Sequence, residues 1–199
     1  IEKVLPAFLT ASRWFGGKAK TIRSTKFADV LRENSGDGPM VLGLIEVTYD
    51  EGGVDTYTLP MTAVFGKEAD RMTHDHPQAI IVALTVIHLQ KELPGILYDA
   101  LWNDACAYSL LTSMGRGTQF QGSTGSLAGS ATDLFDEAAI CAYAASSSVL
   151  KGEQSNTSVK FDDCLIMKMY RRVEPGMNPE LEVGRALTER RFPHSPSLV

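Results

Sequence analysis

Several kinds of residue and pattern are scarce in these 199 residues, and each scarcity narrows the possibilities. Only three cysteines occur, Cys106, Cys141 and Cys164. Their number is odd and their spacing wide, so they offer neither a disulfide framework nor CxxC metal spacing. Buried free thiols in a reducing, cytoplasmic compartment are the expectation. No stretch approaches the roughly 18 apolar residues of a membrane span. The opening residues, IEKVLPAFLT, lack the basic start and long apolar run of a signal peptide. Basic charge is not in excess: 19 Lys and Arg stand against 24 Asp and Glu, a net charge of −5. The small basic groups (Arg13, Lys18, Lys20, Arg23 and Lys26, then Arg171 and Arg172) are mixed with apolar residues. No nucleic-acid partner is expected, because phosphate contacts need a clustered basic surface. The Gly-rich segment at 115–129, GRGTQFQGSTGSLAG, lacks GK[ST] and is no P-loop; it reads as a loop or irregular hairpin. An initiator Met is also missing, and the end, FPHSPSLV, leads elsewhere, so the chain reads as a portion of a longer protein.

What is present is ordinary for a globular chain, 44% apolar and 22% charged, enough to bury a core. Residues 21–33 alternate partly and read as a strand. Residues 40–49 are a clearer one, DEGG at 50–53 is a hairpin turn, and 56–59 returns, with 61–65 extending it. The segment at 79–84, AIIVAL, is a strand or a buried helix. Residues 99–114 carry apolar positions at helical spacing. The expectation for residues 1–90 is a curved antiparallel sheet with a helix packed on it.

The last 55 residues change texture. A short strand at 149–151 leads into the polar turn GEQSNT; strands at 158–161 and 164–170 follow, separated by Asp162-Asp163. A helix then opens at Asn178-Pro179-Glu180, where Asn caps, Pro fits the first turn and Glu meets the positive end of the dipole. Strand, polar loop, strand, turn, strand, helix is the layout of the small lobe of protein-kinase-like folds. There the loop covers ATP phosphates, a strand Lys contacts them and a helix Glu holds that Lys. Lys168 interrupts the apolar run LIMKMY. Alternation puts Ile166, Lys168 and Tyr170 on one face, Leu165, Met167 and Met169 on the other. A half-buried ammonium needs a partner, and Glu182 is chosen over Glu180, which serves the dipole, and Glu189. The other reading is a Lys on a solvated edge-strand face. Gln154, Ser155, Asn156 and Thr157 can form a tight turn aimed at phosphate, although one Gly stands where GxGxxG has three; an ordinary hairpin turn is the alternative. His74-Asp75-His76, before Pro77, reads as a solvated turn rather than a metal pair. Trp14-Phe15-Gly16-Gly17 reads as structural, aromatics anchoring and glycines allowing a tight bend, rather than as a sugar-stacking platform.

RWFGGK (13–18), LYDALW (97–102), GEQSNTSV (152–159) and LIMKMYRRVEPGMNPELEVGRALTE (165–189) occur in an order that resembles the maltokinase family. The resemblance implies an α+β chain: an N-terminal cap subdomain over 1–90, then an intermediate segment and kinase-like N-lobe over 91–199, with the C-lobe absent. It implies ATP with Mg2+, and maltose as the acceptor giving maltose 1-phosphate, in a parent that is free-standing or fused to trehalose synthase. Lys168, Glu182, Gln154, Ser155, Asn156 and Thr157 would contribute to ATP binding. No HGD-type or DFE-type motif occurs, so no catalytic or metal residue is expected in this chain. A docking or scaffolding module for trehalose synthase, or a kinase for another sugar such as glucosamine, is the alternative implied.

Overall fold

A computed structural model describes residues 1–33, 39–88, 90–136, 146–150, 152 and 155–199. The chain is α+β, and every strand pair in it is antiparallel. Helix α1 (Leu5–Ala11), with Pro6 in its first turn, buries Leu5, Phe8 and Leu9. A meander follows, β1 (Ile22–Glu33), β2 (Val41–Tyr49) and β3 (Val54–Phe65). Its β2–β3 turn uses Gly52 and Gly53 at positive φ, the left-handed geometry glycine adopts without strain. Helix α2 (Lys67–Asp75) then leads to β4 (Ile80–His88) and β5 (Lys91–Asp99). AIIVAL therefore resolves as strand. A 3-10 turn, Ala100–Trp102, and helix α3 (Asp104–Gly115) come next. The segment read as one helix from 99 is thus split at Asn103, whose side chain caps α3 by accepting from the Cys106 N–H at 3.0 Å.

The Gly-rich segment forms a short hairpin, β6 (Gln119–Gln121) and β7 (Ser126–Ala128). Its first strand pairs with β1, so the main sheet runs β4-β5-β3-β2-β1-β6-β7. This sheet draws strands from both sides of residue 90. A second sheet of three strands has the order β10-β9-β8: β8 (Ser147–Val149), β9 (Asn156–Phe161) and β10 (Leu165–Tyr170). The two residues of β11 (Arg172–Val173) return to the main sheet, pairing with Tyr57 and Thr56 of β3. Helix α4 (Pro179–Glu189) is capped by Asn178, which accepts from the Glu180 N–H at 2.9 Å. Prolines 6 and 179 both fall in first turns, where no hydrogen bond is lost.

Among the described residues three apolar clusters form; the smallest packs Ala69 of α2 on Ile96 and Tyr98 of β5, and the two larger ones hold the sheets. One gathers α1, Trp14 and Phe15 against Ile45, Val47, Tyr57 and Leu59. The other sets Leu31 and Leu42 of the main sheet and Cys106, Ala107, Leu110 and Leu111 of α3 against Val159, Phe161 and Met167 of the small sheet. The small sheet therefore shares its apolar burial with the main one. Cys106 is buried as expected, but Cys164 is exposed in the turn before β10, because that turn faces outward. Among the described residues no helix is long and apolar enough to cross a membrane.

Candidate functional site

Alternation along β10 holds as the sequence predicted. Met167 is buried and Leu165 and Met169 pack on the core, while Ile166 and Lys168 are exposed on the opposite face. The Lys168 ammonium donates to the Glu180 carboxylate, not to Glu182. The cause is helical geometry. Residues two apart on a helix are rotated by about 200°, so if Glu180 faces β10, Glu182 faces away. Glu182 is exposed. Glu180 sits in the first turn, as the dipole reading required, and meets the lysine as well. Its carboxyl is held below the usual carboxylate range by the hydrogen bond from Lys168, then by one from Tyr170. The exposed face of β10 thus carries a Lys–Glu–Tyr cluster.

The polar loop before β9 is only partly described: Gln154 lies outside the described residues. Ser155 is exposed and Asn156 half-buried, so both remain available at the surface. Thr157 is a correction. Its side chain is buried, and its hydroxyl accepts from the Arg171 Nε–H at 2.8 Å, so it turns into the protein rather than toward a ligand over the loop. In the β9–β10 ladder Thr157 stands opposite Met169 and Ser158 opposite Lys168, which places the loop's exit beside the lysine.

Arg171 is the buried charge that sequence reasoning missed. It is fully buried. Its Nη2 donates to Asp99 at 2.5 Å, its Nε to Thr157, and its guanidinium lies 4.6 Å over the Trp14 ring. Burial pushes the guanidinium below its ordinary value, and the Asp99 carboxylate opposes that. An arginine nonetheless stays charged at any ordinary pH. The backbone at Arg171 is held too: its carbonyl accepts from the Thr58 N–H at 2.7 Å. The Asp99 carboxylate also accepts from the Leu101 N–H at 3.1 Å, starting the 3-10 turn. One side chain thus joins RWFGGK, LYDALW and the strand after GEQSNT. The available signal was weak. Arg171-Arg172 resembles a surface pair, and nothing in the spacing links position 171 to position 99. Arg172 does face outward, at 2.9 Å from Asp55, which accepts from the Tyr49 hydroxyl at 2.9 Å.

Trp14 and Phe15 are buried, with ring centroids 6.1 and 5.1 Å from Tyr57, so they anchor the N-terminal segment. The chain turns at residues 16–19, as expected, and Gly17 answers a second need. Neither Gly16 nor Gly17 has positive φ, but a Cβ on Gly17 would collide with the Tyr49 hydroxyl and the Phe15 ring. The requirement is close approach. His74 and Asp75 end α2 rather than lying in a flexible loop; His74 bonds Asp75 at 2.8 Å and His76 packs against Trp102, ring centroids 4.9 Å apart. A third cluster lies at the β1 bulge. The Asp29 carboxylate accepts from the backbone N–H groups of Ser123, Thr124 and Gly125 and from the Ser123 and Thr124 hydroxyls, at 2.7–3.1 Å. These donors, the Thr124 and Ser123 backbone first, hold Asp29 far below the usual carboxylate range.

The structure therefore defines a two-sheet α+β protein whose smaller sheet presents a paired lysine on an open face. Residues 8–102 match the family model described as the maltokinase N-terminal cap domain. That match supports the maltokinase-family resemblance carried by RWFGGK and LYDALW. A cap of this family implies a parent of kinase type, a transferase, at that coarse level.

Proposed function

We propose that this chain is the N-terminal portion of an ATP-dependent sugar kinase, in which β8–β10 and α4 form the kinase-like small lobe and the parent transfers the ATP γ-phosphate to maltose. The observation that carries the reading is Lys168: a strand lysine on an open face, paired with a carboxylate from the next helix, beside the exit of a polar loop. In this reading Lys168 contacts ATP phosphates, Glu180 orients it, and Ser155, Asn156 and Gln154 line the covering loop. A lysine whose position is already fixed loses little freedom when phosphate arrives. Phosphoryl transfer needs positioned metal and a group that orients the acceptor hydroxyl, and both belong to the parent's remaining lobe.

The test is Lys168→Ala in the full-length parent. The rate of maltose-dependent ATP consumption should fall by a factor of about 100 or more, as expected when a charge on a transferring phosphate is removed, with the fold unchanged by circular dichroism. Glu180→Gln should do less, since it misorients the lysine without removing it. The 199-residue chain alone should consume no ATP with maltose. Full activity of Lys168→Ala would overturn the reading.

A further inference from the structure

We propose that Arg171 is a positioning residue for the phosphate site, tying β9 and the end of β10 to the cap. The inference rests on the reading of Lys168 and its loop given above. The fixed end of the device lies in the main sheet and its core. Asp99 closes β5, Trp14 is packed between Phe8 and Tyr57, and Thr58 of β3 holds the Arg171 carbonyl. The held end is Thr157, the second residue of β9. Lys168 lies three residues before Arg171 on β10, and its cross-strand partner Ser158 adjoins Thr157. One residue thus holds the chain on both sides of the Lys168–Ser158 pair: β9 through its guanidinium and Thr157, and the end of β10 through its own carbonyl.

Fully buried charge is costly unless paired, and a hydrophobic residue of similar volume often serves stability as well. The forked geometry of Arg gives what a hydrophobic residue cannot, directed hydrogen bonds to two chosen partners on different elements. Placement matters because a shift of about 1 Å can cost on the order of 100-fold in rate. The inward turn of the Thr157 hydroxyl then has a purpose: it anchors β9 rather than touching the nucleotide.

The experiment is steady-state kinetics of the full-length protein with ATP and maltose varied separately, on Thr157→Val, Thr157→Ser and Lys168→Ala. Thr157→Val keeps the shape and removes the acceptor. It should raise KM for ATP about tenfold, the weight of one hydrogen bond to a charged group, and leave KM for maltose within about twofold. Thr157→Ser restores a hydroxyl and should restore KM for ATP. A merely structural role would lower the melting temperature without separating the two KM values. Should Thr157→Val fail to fold, Thr157→Ala, which removes the same acceptor with no branched side chain to place, reads the same split. An unchanged KM for ATP in Thr157→Val, with Lys168→Ala inactive, overturns the positioning role and leaves the lobe reading standing. Full activity of Lys168→Ala overturns both.

Discussion

The main sheet and helix α4 sit at opposite ends of a scale of burial. In the main sheet Tyr49, Tyr57 and Tyr98 are each about 1% exposed, and Asp55 of β3 pairs with Arg172. Helix α4 buries no residue; Leu181 and Val183 are exposed on it, and Ile166 is exposed on β10. The small sheet lies between these extremes. Its inner face shares the α3 core, while its outer face carries Lys168. The contrast teaches where stability resides: the cap and the inner side of the small sheet hold the fold, and the outer side is exposed.

Substitutions can break or sharpen that contrast. The largest effect is expected from Asp99→Ala, which leaves Arg171 as an unpaired buried charge and should cost about 3–5 kcal/mol. Denaturant unfolding measures it, and both sheets should unfold together in one transition. Trp14→Ala should cost a similar or slightly smaller amount, about 3 kcal/mol, since it removes a buried aromatic and the ring under Arg171; the same denaturant midpoints read it.

Acid separates a third site from these two. Asp29 has a depressed pKa in the folded state, so its contribution is fully present above the unfolded value of about 3.9 and is lost as pH falls through the depressed folded value. Asp29→Asn should therefore destabilise the protein at neutral pH and flatten its loss of stability below about pH 4, read from unfolding curves at a series of pH values. A Cβ on Gly122 would collide with this carboxylate, so Gly122→Ala should weaken the same hairpin. The smallest effects belong to α4. Val183→Ala should change stability by less than about 0.5 kcal/mol. Glu180→Gln should cost no more than about 1 kcal/mol, because its pair with Lys168 is solvent-exposed.

Much of this contrast was legible in the sequence, for reasons that differ by residue. The β1–β3 meander and β9–β10 declared themselves through alternation and through turn residues such as Asp50–Gly53 and Asp162-Asp163. Pro179 after Asn178 announced α4. Helix α2 was missed because KEADRMTHD is polar and buries only Ala69, leaving little apolar period to detect. The β6–β7 hairpin is legible only as a loop or irregular hairpin, because its strands are three residues each and lie in a Gly-rich segment. At the site, the kind of interaction was readable and its partner was not. The sequence asks for a carboxylate near Lys168, but choosing Glu180 over Glu182 requires the rotation of the helix about its axis, which tertiary packing sets. Arg171 was hidden for a related reason: its partners at positions 14, 99 and 157 lie on three separate segments, and only the folded chain brings them to one guanidinium.

The central claim is that cap and small sheet form one cooperative unit through the Arg171 contacts and the shared α3 core, with α4 outside it. Amide hydrogen exchange followed by mass spectrometry tests it most directly. The amides of β3, β9 and β10 should exchange with a common opening free energy, and those of α4 much faster. Exchange of β9 and β10 at the rate of α4, with β2 and β3 still protected, would contradict it.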